Sequence, residues 1–350
     1  MNSPLPEIDY AFLEDFLVRL LNTPSPTGFT EQAVALVQEA LAALPSLSLR
    51  RTRKGALLVT LPGPEAEPVR ALTAHVDTLG AMVKSIKPSG RLALTAIGGF
   101  AWNSVEGEGC TVFTQSDGTV RGSLLPNHAS VHVYTDVKDA KRDAENMEVR
   151  LDARTASAEE TRGLGIEVGD FVAFDPRVER TNGFVRSRHL DDKACAAVLV
   201  AALQALQTAG LQPAHTTCIL FSNFEEVGHG GAAEIPASVE EFVAVDMAAM
   251  GEGQASDEFH ATLCLKDSGG PYHAGLSQKL RGLAEAYGIP YKVDIYPNYG
   301  SDATAYWHAG GPAAAALIGP GVDSSHHYER THHDALLATT QWVLAYLLAE

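Results

Sequence analysis

The sequence predicts an α/β protein: a mixed sheet flanked by helices, interrupted by a small inserted β-barrel. Three observations point there. Apolar runs of strand length alternate with helical stretches towards both ends of the chain, the pattern of a sheet covered on both faces. From residue 80 to 186 that rhythm stops. Short β-rich pieces there are separated by turn clusters such as Pro88-Ser89-Gly90, Gly98-Gly99, Ser116-Asp117-Gly118 and Pro126-Asn127. After Asp191 the alternation resumes. Residues 1–79 and 187–350 are therefore expected to form one α/β domain, with 80–186 inserted between its halves.

The elements follow in order. Residues 8–21 place apolar and charged positions at helical spacing, and Thr23-Pro24-Ser25-Pro26-Thr27-Gly28 ends that helix. Thr30 reads as the N-cap of a second helix through Leu44. Strands are expected at 56–61 and 69–76. In the second half a helix is expected at 193–208, with strands at 216–222, 242–246, 261–265, 291–295 and 314–318. Further helices are expected at 273–287, 301–309 and 334–348.

Composition excludes several function classes. The 350 residues carry a formal net charge of −17, which argues against nucleic acid or an anionic membrane as partner. No uninterrupted apolar stretch reaches membrane-spanning length. The N-terminal Met1-Asn2-Ser3-Pro4-Leu5-Pro6-Glu7 has neither a basic nor an apolar signal region. Cys110, Cys195, Cys218 and Cys264 are widely spaced and form no C-x-x-C pair, as expected for free thiols in a reducing compartment. A cytoplasmic protein is the expectation.

The chemistry lies where strands are expected to end. The run Thr216–Asn223 leads into Phe224-Glu225-Glu226-Val227-Gly228. Adjacent carboxylates at the C-terminal end of a buried strand sit where open α/β sheets place their sites. One can bind a metal while the other handles a proton. Ligand-type residues recur in His75-Val76-Asp77, His189-Leu190-Asp191-Asp192-Lys193, Val245-Asp246, and the late run Ser324-Ser325-His326-His327-Tyr328-Glu329-Arg330-Thr331-His332-His333-Asp334. Histidine and carboxylate without cysteine suit Zn²⁺, Co²⁺ or Mn²⁺ in a hydrolytic site.

The motif series His75-x-Asp77, Leu190-Asp191-Asp192-Lys193-Ala194, Glu225-Glu226-Val227-Gly228, Asp246 and Thr331-His332 resembles that of the M42 metallo-aminopeptidases, the tetrahedral or glutamyl aminopeptidases. The resemblance covers essentially the whole chain, and the insertion resembles that family's dimerisation domain. Some segments, among them Lys266-Asp267-Ser268-Gly269-Gly270-Pro271, resemble the subgroup associated with N-acetylglutaminylglutamine amide osmoprotectant systems.

The resemblance implies a zinc-exopeptidase-like fold and two divalent ions, Zn²⁺ foremost, with Co²⁺ or Mn²⁺ as alternatives. His75 and Asp246 would bind one ion, Glu226 and His332 the other, and Asp191 would bridge them. Asp77 would support His75, and Glu225 would be the general base. A cis peptide is implied at Asp191-Asp192. The implied substrates are short peptides with a free N-terminus. The implied assembly is a homo-oligomer, from a dimer up to a dodecamer.

Other readings stay open at this point. His326 competes with His332, because the family has Ser-Pro after its last ligand and His333-Asp334 follows here. Asp192 fits a helix N-cap, as does Asp334. Asp302 fits either a substrate pocket or an N-cap, and His128 fits a structural role. An amidohydrolase or deacylase acting on a modified dipeptide or small amide would use the same metal motif. A glycosidase would leave the histidines without a role. A non-catalytic scaffold would not need every candidate ligand intact.

Overall fold

The computed structural model describes residues 4–350. At its centre is a mixed sheet. Its strands run, edge to edge, Ser48–Arg51, Leu57–Leu61, Thr217–Ser222, Arg70–His75, Glu241–Val245, Ala314–Val322, Ala261–Cys264 and Tyr291–Asp294. A short strand, Ala248–Ala249, pairs with Ala314–Val322 off this path. The expected α/β class and inserted barrel are both present.

Four adjacent central strands are parallel: Thr217–Ser222, Arg70–His75, Glu241–Val245 and Ala314–Val322. Their C-terminal ends therefore emerge at one edge of the sheet. Residues Arg70–His75 and Thr217–Ser222 are buried at every position, as expected for parallel strands covered on both faces. Alternate side chains serve two cores. Leu72, Ala74, Ile219 and Phe221 pack with the helices Tyr10–Leu21, Glu31–Ala42, Leu190–Thr208 and His333–Leu348. Ala71, Cys218, Leu220 and Phe242 pack on the other side with Tyr296, Ala303 and Tyr306.

The helix Leu190–Thr208 is the internal support of the site. Every residue from Leu190 to Leu203 is buried, so this part of the helix has no solvent face. Its first turn is irregular. Asp191 and Asp192 have non-helical dihedrals, and the peptide between them is cis, as the resemblance implied.

The inserted strands close into a barrel in the order Gly80–Ile86, Leu92–Ile97, Met147–Leu151, Thr119–Pro126, Gly109–Phe113 and Phe171–Phe174. Ala81, Val83, Leu94, Val112, Leu124, Val149 and Val172 form its separate core. The expected end of the insertion, residue 186, falls inside the strand Phe184–Ser187. That strand pairs with Glu179–Thr181 and Glu329–His332 in a three-stranded sheet, not with the barrel. His128 lies in the long loop after Thr119–Pro126, stacked on Tyr134 and 3.0 Å from Asp136.

All four cysteines are buried free thiols. Among the described residues no helix is long and apolar enough to cross a membrane.

Candidate metal centre

The parallel strands deliver most of the site. His75 is the last residue of its strand, paired in register with Ser222. Glu225 and Glu226 follow Ser222 in a short 3₁₀ turn. Asp246 follows Val245, and its backbone N–H donates to the Ile318 carbonyl at 3.0 Å. His326 follows the strand Ala314–Val322, and Asp191 comes from the irregular start of the buried helix.

His75 is only 2% exposed. Its Nδ1 lies 2.9 Å from the Asp77 carbonyl oxygen, which fixes the ring and leaves Nε2 facing Asp191 Oδ1 at 3.1 Å and Glu225 Oε2 at 3.6 Å. Asp77 is fully buried and organises the following turn. Its carboxylate accepts the backbone N–H groups of Glu225 and Glu226, both at 3.2 Å, and the Thr27 hydroxyl at 2.7 Å. Across the cluster, Asp191 Oδ2 accepts the Ser325 hydroxyl at 3.1 Å and lies 3.4 Å from His326 Nε2. The same His326 nitrogen is 3.5 Å from Glu226 Oε2.

Asp191, Glu225, Glu226, Asp246, Ser325 and His326 line a cavity of ≈ 440 Å³ whose further wall is Gly228, Ala249, Asn298, Tyr299 and Gly300. The wall contains four carboxylates and no lysine or arginine. The electrostatic consequence is strong. Burial, and then the charge of Asp191, push Glu226 up to about 8 and Asp246 up to about 7. Burial also drives Glu225 well above the carboxylate range, with Asp246, Asp302 and Glu226 adding to it. The two histidines are raised as well, which favours their protonated form. Burial would lower His326, but Asp191 and Glu226 outweigh it and hold it at about 10. His75 is likewise held well above its ordinary value by Asp191, Glu225 and Asp77, against its own burial.

The carboxylates of this cluster outnumber its two histidines, and divalent cations can supply the missing positive charge. The donor set fits them. Ligand atoms of His75, Asp191 and Glu226 lie within 4.8 Å of one another, as do those of His75, Asp192 and Asp246. Asp192 Oδ1 and Asp246 Oδ1 are buried and have no hydrogen-bond partner. A buried carboxylate oxygen without a partner is an open ligand position.

Of the residues expected from sequence, His75, Asp77, Asp191, Glu225, Glu226 and Asp246 are brought together. His332 is not. Its ring packs against Phe184 and Phe259, and its Nδ1 accepts the Asp334 N–H at 3.3 Å, capping the helix His333–Leu348. His326 stands beside Asp191 and Glu226 instead. Asp334 is consequently not the N-cap. Asp302 does not line the cavity; it is buried and accepts bonds from Thr73, Ser222 and Gly231. Ser325, Tyr299 and Glu329 also belong to the site or its support, and sequence reasoning did not single them out.

Comparison with known proteins gives the kinship of this arrangement. The sequence profile of M42 glutamyl aminopeptidases matches residues 55–341. YhfE of Bacillus subtilis (strain 168) is 48% identical over 334 residues, covering 95% of this chain and 96% of that protein. The lysyl aminopeptidase of Pyrococcus furiosus is 27% identical over 241 residues, covering 66% of this chain and 67% of its own length. Among solved structures, the TET aminopeptidase of a marine sediment Thaumarchaeota archaeon superposes with a TM-score of 0.86 at 19% identity, covering 96% of this chain and 95% of that one. The Pyrococcus horikoshii TET1 peptidase, which can assemble into a tetrahedron or a large octahedral shell, gives a TM-score of 0.83 at 20% identity, covering 97% and 100%. The profile match and the extent of the YhfE likeness show that the chain belongs to the M42 glutamyl aminopeptidase family of metal-dependent peptidases.

Proposed function

We propose that this peptidase is a dinuclear aminopeptidase that removes residues from the free N-terminus of short peptides. The observation that carries the reading is the convergence of Asp191, Glu225, Glu226, Asp246 and His326 on one cavity, with His75 against Asp191 behind its wall and more carboxylates than the two histidines can balance. In this reading His75 and Asp246 would hold one ion and Glu226 and His326 the other, with Asp191 available to both. Zinc suits the set best, with cobalt or manganese as alternatives. When bound, such ions act as Lewis acids on the scissile carbonyl and make water acidic enough to attack near neutral pH.

The chain's own groups do the rest. Glu225 is the general base: its carboxylate takes the proton of the attacking water and returns it to the leaving amine. Asp77 fixes the backbone of Glu225 and, through its carbonyl, the ring of His75. The carboxylate-lined cavity attracts a protonated α-amine, which places the scissile bond one residue from the N-terminus. Gly228, Ala249, Asn298, Tyr299 and Gly300 leave uncharged space for the first side chain.

The test is mass spectrometry of paired peptides with free and acetyl-blocked N-termini, with Zn²⁺ or Co²⁺ supplied. Stepwise loss of N-terminal residues from the free peptides alone is expected. Cleavage of the blocked partners would instead assign the site to small or modified amides.

We further propose that the chain assembles with itself, as a dimer or a larger shell. The assembly of the P. horikoshii relative supports this, and so do Val131 and Val133, 63% and 70% exposed on the loop that leaves the barrel. Light scattering is expected to give a multiple of the 37.2 kDa chain mass; a monomer at micromolar concentration would refute it. Within the cell, the buried thiols fit a reducing cytoplasm, and a periplasmic or secreted fraction on cell fractionation would contradict that placement.

A further inference from the structure

Glu329 lies on the short strand Glu329–His332, has no exposed surface and does not itself line the cavity. Both of its carboxylate oxygens are nevertheless committed to the site. Oε2 accepts the backbone N–H of Asp191 at 3.0 Å, and Oε1 accepts the backbone N–H of His326 at 3.1 Å. The two N–H groups belong to segments far apart in sequence, the start of the buried helix and the loop after Ala314–Val322. Among neutral and charged side chains of this size, a carboxyl group is the one whose two oxygens can each accept an N–H; an amide offers one acceptor and one donor.

The loop needs such an anchor. Ser324 and His326 have φ values of 59° and 63°, in the left-handed region that residues with side chains rarely adopt. A conformation of that kind persists where surrounding bonds over-determine it. For His326 they are two: Glu329 holds its N–H, and the Gly99 carbonyl oxygen, from the barrel, lies 2.6 Å from its Nδ1. The ring is then left with Nε2 towards Asp191 and Glu226.

We infer that Glu329 is a positioning residue that sets Asp191 and His326 against each other, and that the metal affinity of the centre depends on it. The inference rests on the metal-centre reading above. It assigns no proton transfer to Glu329, which acts through two backbone N–H groups.

The experiment is zinc affinity by chelator competition, on the full chain, for the wild type, Glu329→Gln and Thr331→Val. Glutamine matches the size of Glu329 but turns an NH₂ donor on one of the two N–H groups. Thr331 is buried on the same strand, bonds to the Gly321 carbonyl at 2.7 Å and makes no side-chain bond to a candidate ligand. Its variant therefore reports what loosening the strand alone does. Glu329→Gln is expected to bind zinc about 10–100-fold more weakly, the loss typical of removing a partner that orients a ligand, while Thr331→Val keeps the wild-type affinity. Equal affinity in Glu329→Gln and wild type would overturn the role, as would an equal loss in Thr331→Val. If Glu329→Gln does not fold, Glu329→Asp carries the same comparison: it keeps the carboxylate but draws it back by one methylene, so weaker binding is again expected and an unchanged affinity overturns the role. A wild-type chain without zinc affinity would remove the metal centre and this role together, whereas an unaffected variant would remove the role alone.

Discussion

Replacing Glu225 by glutamine is expected to lower kcat for a free peptide by roughly 10²–10⁴-fold, the usual contribution of a positioned general base. Bound zinc should stay at the wild-type level. The reasoning is local. The Glu225 N–H is held by Asp77 Oδ1 at 3.2 Å whatever the side chain, so the turn that carries residues 225 and 226 persists in the variant. Glutamine fills the same volume at the cavity wall but cannot accept a proton from water. Glu226, whose Oε2 lies beside His326 Nε2, is untouched. Single-turnover rates measured with saturating zinc separate loss of the base from loss of metal. A variant that keeps more than about a tenth of the wild-type rate would take the base assignment away from Glu225. A variant that loses zinc would make Glu225 a ligand instead.

The same residues show how far the sequence could be read. Buried parallel strands are short apolar runs with punctuated ends, and that is how 69–76 and 216–222 appear in the sequence. Because those strands are parallel neighbours, His75 and the Glu225-Glu226 turn share an edge, so their proximity was legible from the strand ends. The edge strand Ser48–Arg51 was missed because its half-buried Leu49 and Arg51 alternate with exposed positions and carry no apolar run. Thr30 precedes its helix as expected, but its hydroxyl gives no cap bond and instead accepts from Asn223. The barrel was visible as a change of texture, whereas the pairing of Phe184–Ser187 with Glu329–His332 joins segments too distant for local pattern to reveal. Glu329 was illegible for the same reason: its partners are backbone groups of remote residues.

His332 was expected from the Thr331-His332 resemblance, and the structure sets His326 beside Asp191 and Glu226 for a local reason. The strand expected at 314–318 runs on to Val322, through Gly319-Pro320-Gly321, which reads as a turn. Those glycines mark close approach of neighbouring backbone. A Cβ at Gly319 would fall 1.8 Å from the Asp246 carbonyl oxygen, and one at Gly321 equally near that of Asp257. With the strand's true end at Val322, His326 emerges at the same edge as His75 and Asp246.

The separation of His326 from His332 gives the second large effect. His326→Ala is expected to cost more than about 100-fold in affinity for one of the two ions, beyond the loss from removing a mere orienting partner, and hydrolysis should fall with it. His332→Ala should retain both ions and lose only its cap, about 1 kcal/mol of stability. Metal content after dialysis, read by inductively coupled plasma mass spectrometry, and a thermal melt of each variant make the comparison. The reverse pattern, with metal lost in His332→Ala and kept in His326→Ala, would restore His332 as ligand. Proximity alone does not favour it: ligand atoms of His332, His333 and Asp334 do lie within 4.8 Å of one another. Yet that group sits on the first turn of His333–Leu348, where the helix presents the positive end of its dipole, and His332 Nδ1 already accepts a backbone N–H there. A cation at that point would meet N–H groups and a lone pair already in use. At His326 it would meet Asp191 and Glu226, two carboxylates with no other cationic side chain in the cavity wall.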